Sequence, residues 1–258
     1  MIEKRCGPTL IKLFVLWLLV MWISLTVVDF IAETVGCTGK SSIVIMESLV
    51  MDVALTLLFL YMYNYEYRPF ARDHRPEGRE WMFVLLLTLD IIALSFVAQG
   101  AAQMIDPGIA DGLVGTYREG SLPLMLVWAV IAAPVAEELM CRGIAFRACR
   151  NSYGFLASAA ISSLLWAIIH LSVAQGICAF IIGMLMAYMM EKYDDLWLCI
   201  AAHAINNLLA VITTYTGLTI PPGTAAILFL AVGTAVVIIL TAIVIKHNLS
   251  GGNRWTGQ

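Results

Sequence analysis

The sequence predicts an all-α integral membrane protein of about eight transmembrane helices with a buried polar catalytic site. Three observations predict it. Of 258 residues, 61% are hydrophobic and 13% charged, with a mean hydropathy of +0.88. A soluble domain carries about 25% charged residues, so this chain lacks the polar surface to face water. Apolar stretches of roughly 20 residues, enough to cross hydrocarbon, recur from one end of the chain to the other. Three of them hold polar side chains at helical spacing: Glu137-Glu138 with Arg142, Trp166 with His170, and His203 with Asn207. A charge in the bilayer costs roughly 2.5–3.5 kcal/mol on insertion scales, which makes each such residue a functional candidate.

The spans follow in order. The first, Leu10–Ile31, has a long apolar core with no small-x-small cleavage site after it, so it reads as a helix rather than a removed signal. Val35-Gly36-Cys37 lacks a lipoprotein leucine, Thr34 standing in its place. The second and third, Ile43–Tyr63 and Trp81–Met104, contain Glu47, Asp52 and Asp90, acids that line a water path or are paired or protonated and are not taken as catalytic. Between these spans lies Glu66–Glu80, a connector with Pro69, Pro76 and four arginines. A Gly-rich loop, Asp106–Gly120, precedes the fourth span, Leu122–Ala145. Then come Phe155–Val173, the short Ile177–Met190, Leu196–Thr213 and Ala225–Ile245.

Orientation follows from the basic residues. With a cytosolic N-terminus, Lys4, Arg5, Lys12, the four connector arginines, Arg147, Arg150, Lys192, Lys246 and Arg254 fall inside, and only Lys40 and Arg118 outside. This places both termini in the cytosol of a multi-pass cell-membrane protein. Of six cysteines only Cys37 falls in an outside loop, so no intrachain disulfide framework is expected. The net charge of −3 says nothing about nucleic acid, and with no Lys/Arg cluster to suggest it, no nucleic-acid partner is expected. Residues 1–258 read as one membrane domain, with a catalytic core over 122–213 that carries the three clusters.

Helical geometry arranges those clusters. Residues four apart share a face and adjacent ones diverge by about 100°, so Glu138 pairs with Arg142 while Glu137 aims elsewhere. Pro134 removes a backbone donor just before the carboxylates. Glu137 and His170 are nearly equidistant from the turn Asn151-Ser152-Tyr153-Gly154, which predicts antiparallel helices with both residues at one height. His203 and Asn207 share a face of the seventh span, and all three clusters are expected at one depth within the cytosolic leaflet. Taken singly, each cluster is also explained by an ion pair, a packed histidine or a polar contact between helices.

A carboxylate beside a histidine binds and deprotonates water, and a second histidine with an amide holds a developing oxyanion. Cys141 lacks the histidine pattern of a cysteine nucleophile. The clusters therefore favour peptide-bond hydrolysis by glutamate-activated water.

Glu137-Glu138-x-x-x-Arg142, Trp166-x-x-x-His170 and His203-x-x-x-Asn207, each on a span and in this order, resemble the three motifs of the CPBP intramembrane proteases. That family includes the type II CAAX prenyl endopeptidases and the bacterial Abi proteins. The resemblance implies a metal-independent glutamic endopeptidase without a cofactor. Glu137 would activate water with the help of His170, His203 and Asn207 would hold the oxyanion, and Glu138, Arg142 and Trp166 would support the site. Its partners would be a peptide or membrane-protein substrate and the lipid bilayer. Two positions depart from the usual pattern: Trp166 replaces a phenylalanine, and Cys141 stands where an aromatic is common. Three other readings remain at this stage. One is a zinc site on Glu137, His170 and His203; no His-Glu-x-x-His element supports it. Another is a non-catalytic partner-binding, bacteriocin-immunity or regulatory protein of the same family. The third is a proton-coupled carrier, for which an inverted repeat is lacking.

Overall fold

The computed structural model describes residues 5–67, 76, 80–105, 118–217 and 224–250. Eight long helices run through them: α1 (Cys6–Thr34), α2 (Lys40–Met62), α3 (Glu80–Ile105), α4 (Leu122–Arg150), α5 (Phe155–Ile169), α6 (Val173–Tyr193), α7 (Leu196–Thr216) and α8 (Thr224–Ser250). No strand occurs among the described residues. Five helical stretches, in α1, α2, α4, α6 and α7, are long and apolar enough to cross a membrane. Shorter apolar stretches lie in α3, α5 and α8. Side chains such as Ile11, Trp22, Phe30 and Leu57 are exposed, while Glu138 and Arg142 are fully buried. Apolar residues outside and charges inside suit hydrocarbon as the solvent. The protein is a multi-pass integral membrane protein. Most of the connector Glu66–Glu80 and of the loop Asp106–Gly120 lies outside the described residues.

The central helix is α4, which packs against α2 and α7 along its length and against α5 near its second half. It is not a uniform α-helix. Two π-helical stretches, Val127–Ala132 and Leu139–Phe146, bracket the α-helical Ala133–Glu138 that carries the acid pair. In the first, the Ala133 N–H reaches back five residues to the Trp128 carbonyl. Continued by one residue, that register assigns the Ala129 carbonyl to the nitrogen of Pro134, which has no hydrogen to give. Wide turns of this kind occur mostly as local insertions, often at functional sites.

Helices α5 and α6 form a close hairpin. Small residues line the seam: a Cβ built on Gly176 would lie 3.0 Å from the Ala167 carbonyl oxygen. Such residues let helix backbones approach in lipid, where dispersion contacts replace the hydrophobic drive. The structure redraws the boundary expected here. The fifth span ends at Ile169, a helix of 15 residues, and the sixth runs from Val173 for 21, so the fifth is the shorter. An apolar run hides this turn from hydropathy. Leu171 makes it with φ of 52°, and the Ser172 hydroxyl then caps α6 by accepting from the Gln175 N–H. Asp194, also left-handed, ends α6, and Asp195 caps α7 by accepting from the Trp197 N–H.

Ion pairs lock the end of this hairpin to α4. Arg150 grips Glu191 through two bonds of 2.9 Å, and Arg147 pairs with Asp194. At the same end a disulfide joins Cys6 to Cys149, with Cα atoms 4.4 Å apart. This corrects the expectation of no disulfide. That expectation counted only cysteines in outside loops, whereas the bridge forms where the start of α1 packs on the last turns of α4.

Candidate active site

The two acids of α4 occupy different surroundings. Glu138 is fully buried, and its Oε1 accepts from Arg142 at 3.1 Å and from His203 Nδ1 at 3.0 Å. Arg142 is equally buried and stacks its guanidinium 4.5 Å from the Trp166 ring centroid. A carboxylate, a guanidinium and an imidazole thus neutralise and hydrogen-bond one another, the condition under which buried charge is tolerated. Glu137 points away from this pair, and its side chain keeps 20% exposure. Its Oε2 accepts the Trp166 indole N–H and lies 3.9 Å from His203 Nε2. That separation exceeds a direct hydrogen bond and suits a bridging group.

His203 therefore faces both acids, Nδ1 on Glu138 and Nε2 toward Glu137. Trp166 stands edge-on between the histidines, with ring centroids 5.1 Å from His203 and 5.5 Å from His170. His170 closes α5, and its Nδ1 lies 2.8 Å from the Trp166 carbonyl oxygen. A carbonyl only accepts, so Nδ1 carries the hydrogen and Nε2 is the nitrogen left for another partner. Equal distances from the Asn151 turn predict Glu137 beside His170; the residue that meets Glu137 is Trp166, one turn earlier. The π-helical stretch Leu139–Phe146 accounts for the offset, because wide turns advance less per residue than α turns and raise Glu137 toward the loop.

Asn207 lies one turn beyond His203 on α7. Its Nδ2 donates to the Ala129 carbonyl at 2.9 Å, the acceptor that Pro134 cannot serve. One amide hydrogen is thus committed to the backbone of α4, and the amide's second hydrogen remains. On the other flank, Trp128 donates its indole N–H to Asp52 of α2 at 2.8 Å, and Asp52 interacts electrostatically with Glu137. Asp52 is buried. Neither Trp128 nor this neighbourhood was marked by the sequence, since the two partners are 76 residues apart and share no motif. Glu47, the other acid of α2, lies near Asp29 of α1. Among the described residues, no three histidine, cysteine or acidic side chains converge as a metal-binding group.

Fold and site together define a helical membrane protein in which Glu137, Glu138, Arg142, Trp166 and His203 are in contact across three helices, with His170 one turn from Trp166 and Asn207 one turn from His203. Residues 119–209, which contain all of them, match the family described as type II CAAX prenyl endopeptidase Rce1-like. Over this segment, about a third of the chain, the sequence is similar to that family of CAAX-type membrane proteases. A relative in Bacillus subtilis (strain 168), named "Putative membrane peptidase YdiL", is 28% identical over 92 residues. The match spans 36% of this chain and 38% of that protein's length. No solved structure matches the chain.

Proposed function

We propose that this protein is an intramembrane endopeptidase in which Glu137 deprotonates a water that attacks a peptide carbonyl. The observation that carries the proposal is the inequality of the two acids. Glu138 is wholly buried, with its Oε1 held by both Arg142 and His203. Glu137 keeps exposure and faces His203 Nε2 across 3.9 Å. A base needs an accessible lone pair and a fixed orientation, and the Trp166 indole fixes this one. The second amide hydrogen of Asn207 is assigned to the carbonyl oxygen as it gains charge, joined by His203, its Nδ1 held by Glu138, when Nε2 also carries a proton. His170, its Nδ1 spent on the Trp166 carbonyl, offers Nε2 to the attacking water.

The reaction balances without a cofactor. Water gives a proton to Glu137 and its oxygen to the carbonyl carbon; collapse of the tetrahedral intermediate breaks the C–N bond as Glu137 returns the proton to the departing amine. Residues 122–213 form the catalytic core of this reading. The substrate is a peptide or membrane protein reached from the cytosolic leaflet, on the side of Arg147 and Arg150. The test is to compare new protein N-termini in membranes carrying wild-type protein, Glu137→Gln or His203→Ala. Termini that arise with wild type and vanish with both variants support the proposal. Identical termini in all three overturn it, and a cellular phenotype that survives both substitutions favours a partner-binding role instead.

A further inference from the structure

Arg142 is the bulkiest of the wholly buried side chains, yet only one of its nitrogens is spent on Glu138. Its Nε and second terminal nitrogen have no hydrogen-bond partner among the described residues. Ser163 of α5 is also fully buried, and its hydroxyl likewise lacks a partner. Both groups converge on Gly183 of α6. A Cβ built there would lie 2.7 Å from Ser163 Oγ, 2.8 Å from Ser163 Cβ and 3.0 Å from the second terminal nitrogen of Arg142. A donor and an acceptor that are both stripped of water are strongly driven to pair. A hydroxyl on one rotor moves between staggered positions without disturbing its helix.

We propose that Ser163 is a positioning residue for the hydrolytic site, its hydroxyl accepting from Arg142, and that residue 183 is glycine so that the two can meet. The influence passes from Ser163 through Arg142 to Glu138, and from Glu138 to His203 Nδ1. His203 then presents Nε2 at the correct angle to Glu137. Neither residue touches substrate. The inference rests on the reading of Glu137 as the water-activating base, but the contact itself is testable apart from that reading.

The experiment is a double-mutant cycle of Ser163→Ala and Arg142→Lys in detergent-purified full-length protein, read in two ways. For peptides whose cleavage needs Glu137, Ser163→Ala lowers kcat on the order of tenfold with KM unchanged. In the Arg142→Lys background it lowers kcat no further, because lysine lacks the planar fork. The melting temperature is followed through the same cycle and needs no substrate: the two substitutions are non-additive if the side chains bond. As a check on space, Gly183→Ala lowers the melting temperature and Ser163→Gly in the same chain recovers most of the loss. An additive melting cycle, or an unrescued Gly183→Ala, overturns the proposal whatever the activity. A coupled melting cycle in a protein that cleaves nothing keeps the contact and overturns the protease reading alone.

Discussion

At the scale of single residues, the site separates one acid that is neutralised from one that is available. Glu138 and Arg142 are wholly buried and depend on each other. Removing one member of such a pair leaves an uncompensated charge, at a cost of about 3–5 kcal/mol. Arg142→Ala is therefore expected to lower the melting temperature in detergent as well as activity. Wild-type melting with lost activity would mean that Arg142 acts on substrate directly. The pairing was legible in the sequence because spacing of four on a helix dictates it. The separate aim of Glu137 was legible for the same reason. What Glu137 meets was not, since Trp166 takes the position expected for His170 only after π-helical turns have shifted the register.

At the scale of the element, α4 is shaped by Pro134 and by what compensates for it. Asn207 gives its amide hydrogen to the Ala129 carbonyl, so the asparagine repairs a defect in the helix that carries Glu137. Asn207→Ala leaves that carbonyl unserved and is expected to destabilise the protein by about 1–3 kcal/mol. Pro134→Ala restores a backbone N–H, so in its presence the same substitution should cost measurably less. Equal costs in the two backgrounds, measured by unfolding in detergent, would show that asparagine and proline are unrelated. No hydropathy or motif reading finds this link, because it depends on hydrogen-bond register within one helix. The α5–α6 seam is a second element-scale feature. Gly176→Leu places a branched side chain against the Ala167 carbonyl and should force the hairpin apart, lowering yield of folded protein. A variant that folds and melts as wild type would contradict the close packing.

At the scale of the whole molecule, hydropathy located the long helices among the described residues but not all of their ends. The apolar run through Leu171 concealed the turn that closes α5, and an argument confined to outside loops missed Cys6–Cys149. Depth was more tractable, because ion pairs at the common end fix the starting level of α4, α6 and α7. From there, Glu138 and His203 reach the same height and bond. The fold thus brings three helices to one point, and the account assigns to that point a single chemistry, water activated by Glu137 without a metal. Activity should accordingly withstand exhaustive chelation followed by metal-free buffer, and loss restored specifically by zinc would replace the mechanism. The most direct measurement is cleavage of one identified substrate by purified, membrane-reconstituted Glu137→Gln. Glutamine matches the shape of glutamate and accepts the Trp166 bond but cannot take a proton from water. The account predicts wild-type melting with no hydrolysis above background, and steady turnover by that variant would contradict it.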